Sequence, residues 1–171
     1  MKKALLVISS KDFQPIEYGM TKRILEENGT LVYTASDKVG IAKAAYTNDK
    51  AEVDILLEDA RAADYDGVFF IGGPGAMDCL DNEKSYKILR EASFAGKAFG
   101  AICISTRILA NAGVLKNKKA AGWNGDNELD KILYAAGAEY MREPVVKDGK
   151  IITADGPKSA EAWGKEILKI L

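Results

Sequence analysis

Three uninterrupted apolar runs constrain this chain more than anything else in its sequence: Ala4-Leu5-Leu6-Val7-Ile8, Gly67-Val68-Phe69-Phe70-Ile71 and Ala98-Phe99-Gly100-Ala101-Ile102. None alternates with polar residues, so each reads as a strand buried on both faces, the pattern of a parallel sheet covered by helices. The segments between them supply those helices. Ile16 to Asn28 carries apolar residues at Ile16, Met20, Ile24 and Leu25 and stops at Gly29. Asn82 to Ala95 follows a cap at Asp81 or Asn82, and Glu128 to Ala136 reads as another helix. A last one, Ser159 to Leu171, has apolar Ala162, Trp163, Ile167, Leu168 and Leu171. Leu31 to Ala35 is a further strand, and Val145-Val146 with Ile151-Ile152-Thr153 bracket Asp148-Gly149 as a hairpin. Residues 36–51 read as loops or a short hairpin around Ala42 to Tyr46, and Leu56 to Ala63 as one or two helical turns. Strands alternating with helices predict a doubly wound, mainly parallel α/β sheet, with ligands outside the carboxyl ends of its strands. With 171 residues, no repeat and no linker, residues 1–171 are expected to form a single domain.

Composition removes whole classes of function. A net charge of −1 gives no electrostatic reason to expect nucleic acid or an anionic membrane as partner. No apolar run reaches the length of a membrane span, and Met1-Lys2-Lys3 leads straight into a strand, so a cytoplasmic location is expected. The two cysteines then read as free thiols. The chain has no histidine at all. That excludes a Ser-His-Asp triad, a Cys-His dyad and any histidine metal site, even across a homodimer interface.

The third apolar run ends abruptly at Cys103, and Ile104-Ser105-Thr106-Arg107-Ile108-Leu109 continues at helical spacing to a stop at Gly113. Ala101 lies two residues before the cysteine and Ser105 two after. Small–x–nucleophile–x–small between strand and helix is the nucleophile elbow, whose tight turn excludes bulky flanking side chains. It lifts the nucleophile off the strand end, with strained backbone angles, and leaves the next N–H, that of Ile104, facing a developing oxyanion. The helix that follows is expected to favour the thiolate. The plainer alternative is an inert buried cysteine. Gly72-Gly73-Pro74-Gly75, after the second run, is either a tight turn or a loop whose amide completes an oxyanion hole with Ile104. Glu17 starts the first helix, where a carboxylate could serve the helix dipole alone. Cys79 reads as a small residue packed under the glycine loop, or as a resolving thiol for Cys103. Trp123 either walls a pocket beside Cys103 or closes the core at the surface.

Taken together these residues resemble the ThiJ/PfpI superfamily. The likeness runs through Ala4-Leu5-Leu6-Val7, Phe13-Gln14-Pro15-Ile16-Glu17 and Phe70-Ile71-Gly72-Gly73-Pro74-Gly75. It continues through Ala101-Ile102-Cys103, Ala112-Gly113-Val114-Leu115, Asp148-Gly149-Lys150 and Ala154-Asp155-Gly156-Pro157. The resemblance implies a flavodoxin-like fold and a homodimer or larger homo-oligomer. It makes Cys103 the reactive cysteine, Glu17 the acid beside it, and Gly73 and Ile104 the oxyanion amides. Protease-named members carry histidine directly after the cysteine, where this chain has Ile104, and other members carry one near the place of Trp123. A peptidase is therefore not expected, and a glutamine amidotransferase, which needs Cys-His-Glu, is excluded.

The expected function is that of a cysteine-dependent enzyme acting on small reactive carbonyls, of glyoxalase or deglycase kind, without metal or organic cofactor. The alternative is a redox-sensing or stress-response protein in which an oxidant modifies Cys103 and nothing is turned over. Both readings place the Glu17 carboxyl within hydrogen-bond reach of the sulfur, the two groups titrating as a pair that shares one proton near neutral pH.

Overall fold

The computed structural model describes residues 1–171. In its first half the chain forms β1 (Lys3–Val7), β2 (Lys11–Phe13), α1 (Pro15–Glu27), β3 (Leu31–Ser36), β4 (Gly40–Ala44), β5 (Lys50–Val53), β6 (Ile55–Leu56) and β7 (Gly67–Phe70). Then follow α2 (Ala76–Leu80), α3 (Glu83–Phe94), β8 (Ala98–Ile102), α4 (Thr106–Asn111), β9 (Lys119–Ala120) and α5 (Leu129–Ala135). The chain ends with β10 (Glu139–Tyr140), β11 (Val145–Asp148), β12 (Ile151–Ala154) and α6 (Ala160–Ile170). The central sheet has seven strands in the order β11-β12-β8-β7-β1-β3-β6. Every pairing in it is parallel except that of β11 with β12.

The apolar runs are buried on both faces because successive side chains point to opposite sides of a pleated strand. Leu5 and Val7 of β1, Val68 and Phe70 of β7 and Phe99 and Ala101 of β8 meet Ile88 and Leu89 of α3 and Ile108 and Leu109 of α4. Their neighbours Leu6, Phe69 and Ile102 face the other way, against Tyr18 and Leu25 of α1 and Trp163 and Ile167 of α6. Each such side chain, fully buried, contributes about 1.5–3 kcal/mol, so the two helical layers hold the sheet rigid. The consequence for function is positional. β1, β7, β8 and β12 run in one direction, and their carboxyl ends bring Glu17, Gly72, Cys103 and Asp155 to one edge.

Several sequence expectations are corrected. Ile16 and Ala162 do not belong to the buried faces of their helices; both are exposed. What α1 buries instead includes Glu17, Tyr18 and Thr21. Residues 40–53 form a true antiparallel hairpin, with Gly40 opposite Val53 and Lys43 opposite Lys50, and β2 adds a parallel third strand. The β11–β12 turn falls on Gly149-Lys150, because Asp148 still pairs with Ile151. The segment after Cys103 begins as a 3-10 turn, Cys103–Ser105, before the six residues of α4. No helix is long and apolar enough to cross a membrane.

Candidate active site

Cys103 leaves β8 in the left-handed region, φ 63°, where a residue with a side chain costs about 1–3 kcal/mol and persists only if its surroundings impose it. Three hydrogen bonds impose it. The Ser105 hydroxyl donates to the Ile71 carbonyl at 2.7 Å, and the Thr106 hydroxyl to the Ala121 carbonyl at 2.9 Å. The Trp123 N–H donates to the carbonyl of Cys103 itself at 3.0 Å. Ala101 and Ser105 are both fully buried, which leaves no room for larger side chains at either position.

The glycine loop after β7 lies against this elbow. A methyl group at Gly72 would sit 2.6 Å from the Cys103 Cβ and 2.8 Å from Glu17 Oε2, so only glycine fits between the two. Gly73 adopts φ 122°, and a Cβ there would lie 2.4 Å from the carbonyl oxygen of Asp12. In this arrangement the N–H groups of Ile104 and Gly73 lie close enough to the Cys103 thiol to favour its charged form.

Glu17 is fully buried at the start of α1. Gln14 caps that helix, its side-chain oxygen accepting from the N–H groups of Ile16 at 2.6 Å and Glu17 at 3.2 Å, and Pro15 opens the first turn. Glu17 Oε2 accepts the Gly72 N–H at 2.8 Å, whereas Oε1 is buried with no hydrogen-bond partner. The Cys103 side chain lies across Gly72 from this carboxyl. Burial raises Glu17 to about 7, the Gly72 N–H and the thiol oppose the rise, and the charge of Asp155 adds to it. Cys103 is also pushed up, first by burial and then by the charge of Glu17, while the Ile104 and Gly73 N–H groups pull it down. The expectation of a thiol kept acidic by its helix is therefore overturned: burial outweighs a helix of six residues preceded by a 3-10 turn. Each of the two acids thus resists a second negative charge beside it.

The sulfur opens onto a cavity of about 450 Å3 lined by Gln14, Tyr46, Gly73, Pro74, Cys103, Ile104, Trp123 and Pro157. Glu17 does not line it. Trp123 stands in the wall, its ring 5.4 Å from the Arg107 guanidinium, which also binds Asp126 at 2.7 Å. Sequence reasoning missed Tyr46, Gln14, Pro74 and Pro157 as lining residues, and Asp155 as a charge near Glu17. Tyr46 left no signal, since a tyrosine at φ 65° on a hairpin tip follows no pattern of composition. Cys79 and Cys103 are free, and they pack against opposite core layers. No group of three His, Cys, Asp or Glu side chains is placed to hold a metal ion.

Comparison with known proteins agrees with this architecture. The sequence model of the DJ-1/PfpI family matches residues 2–170. An uncharacterised protein of Methanocaldococcus jannaschii is 35% identical over 170 residues, 99% of this chain and 82% of its own. Deglycase PfpI of Pyrococcus furiosus is 31% identical over 169 residues, 98% of each chain. Among solved structures, a ThiJ/PfpI domain protein from Brachyspira murdochii superposes with a TM-score of 0.91 at 26% identity, covering 98% of this chain and 95% of that one.

Proposed function

The chain belongs to the DJ-1/PfpI family, and from that premise we propose that it is a cysteine-dependent enzyme acting on small reactive carbonyls, in the manner of a deglycase or glyoxalase. The observation that supports the reading is a buried Glu17 carboxyl and a left-handed Cys103 packed on either side of Gly72, in a chain without imidazole. The thiolate attacks an aldehyde carbon, forming a C–S bond while the carbonyl π pair moves onto oxygen. That oxyanion lies against the Gly73 and Ile104 N–H groups, which are fixed before the reaction and cost no reorganisation during it. Protonation gives a hemithioacetal. With a 2-oxoaldehyde, Glu17 removes the proton from the sulfur-bearing carbon and returns it to the neighbouring one, while the hydroxyl proton passes from the first oxygen to the second, leaving a 2-hydroxy thioester. Water then releases a 2-hydroxy acid and restores the thiol. A carboxyl raised to about 7 suits both halves of that proton transfer, since acid and base forms coexist at neutral pH.

The test is steady-state turnover of methylglyoxal. A rate that disappears in Cys103→Ser supports the enzyme. Oxidation of Cys103 at low peroxide with no turnover by the wild type would overturn it in favour of a redox sensor.

A further inference from the structure

Beside the β4–β5 hairpin lies a cavity of about 730 Å3, larger than the one over Cys103 and sharing no lining residue with it. Lys11, Lys38, Lys43 and Lys50 line it, together with Asp12 and Asp49. Three of those lysines form a row. Lys11 of β2 pairs in register with Lys43 of β4, and Lys43 pairs in turn with Lys50 of β5. Residues directly opposite across strands share a face, and like charges so placed destabilise the pairing. Lysines at sheet edges are a common guard against edge-to-edge association, which accounts for β2 and β5. It does not account for Lys43, on the central strand of the three.

Nothing in the protein neutralises the row. Lys38, Lys43 and Lys50 meet no carboxylate, and Lys11 reaches Asp12 only at 4.0 Å. Asp49 accepts from the Thr47 hydroxyl at 2.9 Å, and Asp37 is turned to Ser10, accepting its N–H at 2.8 Å and its hydroxyl at 2.9 Å. Four lysines thus line one polar concavity against two carboxylates, an excess of two positive charges. We propose that this cavity is a binding site for a small phosphorylated anion. Lysine binds phosphate as a point charge, and several around one space suit a ligand carrying two or more negative charges. The volume lies in the range of sites for small molecules, and three of the four lysines stand on hydrogen-bonded strands, which position them before the ligand arrives. The inference stands apart from the chemistry of Cys103.

Inorganic pyrophosphate is the probe, titrated calorimetrically into the full chain at fixed ionic strength. The wild type is expected to bind it saturably at one site per chain. Lys43→Gln alone should weaken binding several-fold and the Lys11/Lys43/Lys50→Gln triple at least tenfold, as expected when charge-assisted contacts to a multiply charged anion are removed. All three positions are exposed, so the variants keep the fold, which circular dichroism checks. A triple Gln variant at Lys116, Lys118 and Lys119 should bind like the wild type. Absence of saturable binding, or equal affinity in the two triple variants, would overturn the site.

Discussion

Gly72 decides whether Cys103 and Glu17 can act together, because its missing side chain is the space between them. Gly72→Ala puts a methyl group 2.6 Å from one and 2.8 Å from the other. It should end methylglyoxal turnover and cost about 1–3 kcal/mol of stability, read from a urea midpoint. Glu17 separates proton transfer from thiolate support. Glu17→Gln keeps a donor beside the sulfur and cannot exchange a proton, so alkylation near neutral pH should stay fast while turnover is lost. Glu17→Ala removes the donor too, and alkylation should slow about tenfold for each 1.4 kcal/mol of thiolate stabilisation lost. If both variants turned over methylglyoxal like the wild type, Glu17 would be only a helix-start carboxylate. The partners at this scale were legible as residue types at strand ends; the direction of the thiol's shift was not. Burial of both acids together depends on how α1 docks, and no single segment of sequence carries that.

At the scale of elements, the elbow and the glycine loop were readable because tight turns restrict sequence: Ala101 and Ser105 must be small, and Gly72 and Gly73 cannot carry a Cβ. The three apolar runs were readable because burial on both faces leaves no polar position. The hairpin of β4 and β5 was only half legible, since its strands mix Ala, Lys and Gly, and it carries Tyr46 to the mouth of the cavity. The far wall depends on α4. Arg107 holds Trp123 through a cation–π contact at 5.4 Å while Asp126 fixes its guanidinium at 2.7 Å. Arg107→Met should free the indole, raising KM for methylglyoxal several-fold with kcat changed less than about twofold, the signature of lost binding rather than lost chemistry. Tryptophan fluorescence should report the loosened ring. An equal fall in kcat would place Arg107 in the chemistry instead.

For the whole molecule, the buried carboxyl makes stability depend on pH. The folded state holds the Glu17 proton up to about pH 7, whereas an unfolded chain releases it near the ordinary glutamate value of 4.5. The folded state therefore binds more protons between those values, and stability falls as pH rises through that window, by about 3 kcal/mol in all. Glu17→Gln, which cannot ionise, should be more stable than the wild type at pH 8, with the advantage gone near pH 4.5. Thermal unfolding across that range checks the sign. An unchanged difference would mean that Glu17 is solvated in the folded protein.

The claim that one proton is shared between Cys103 and Glu17 is tested most directly by the pH profile of Cys103 alkylation with iodoacetamide, in a Cys79→Ala background from pH 5 to 10. The thiolate should appear in a step centred near 7, where the pair loses its first proton, and in Glu17→Gln that step should move to the position set by the thiol alone while alkylation at neutral pH stays fast. A rate that rises only well above pH 9, with the same profile in both proteins, would contradict it.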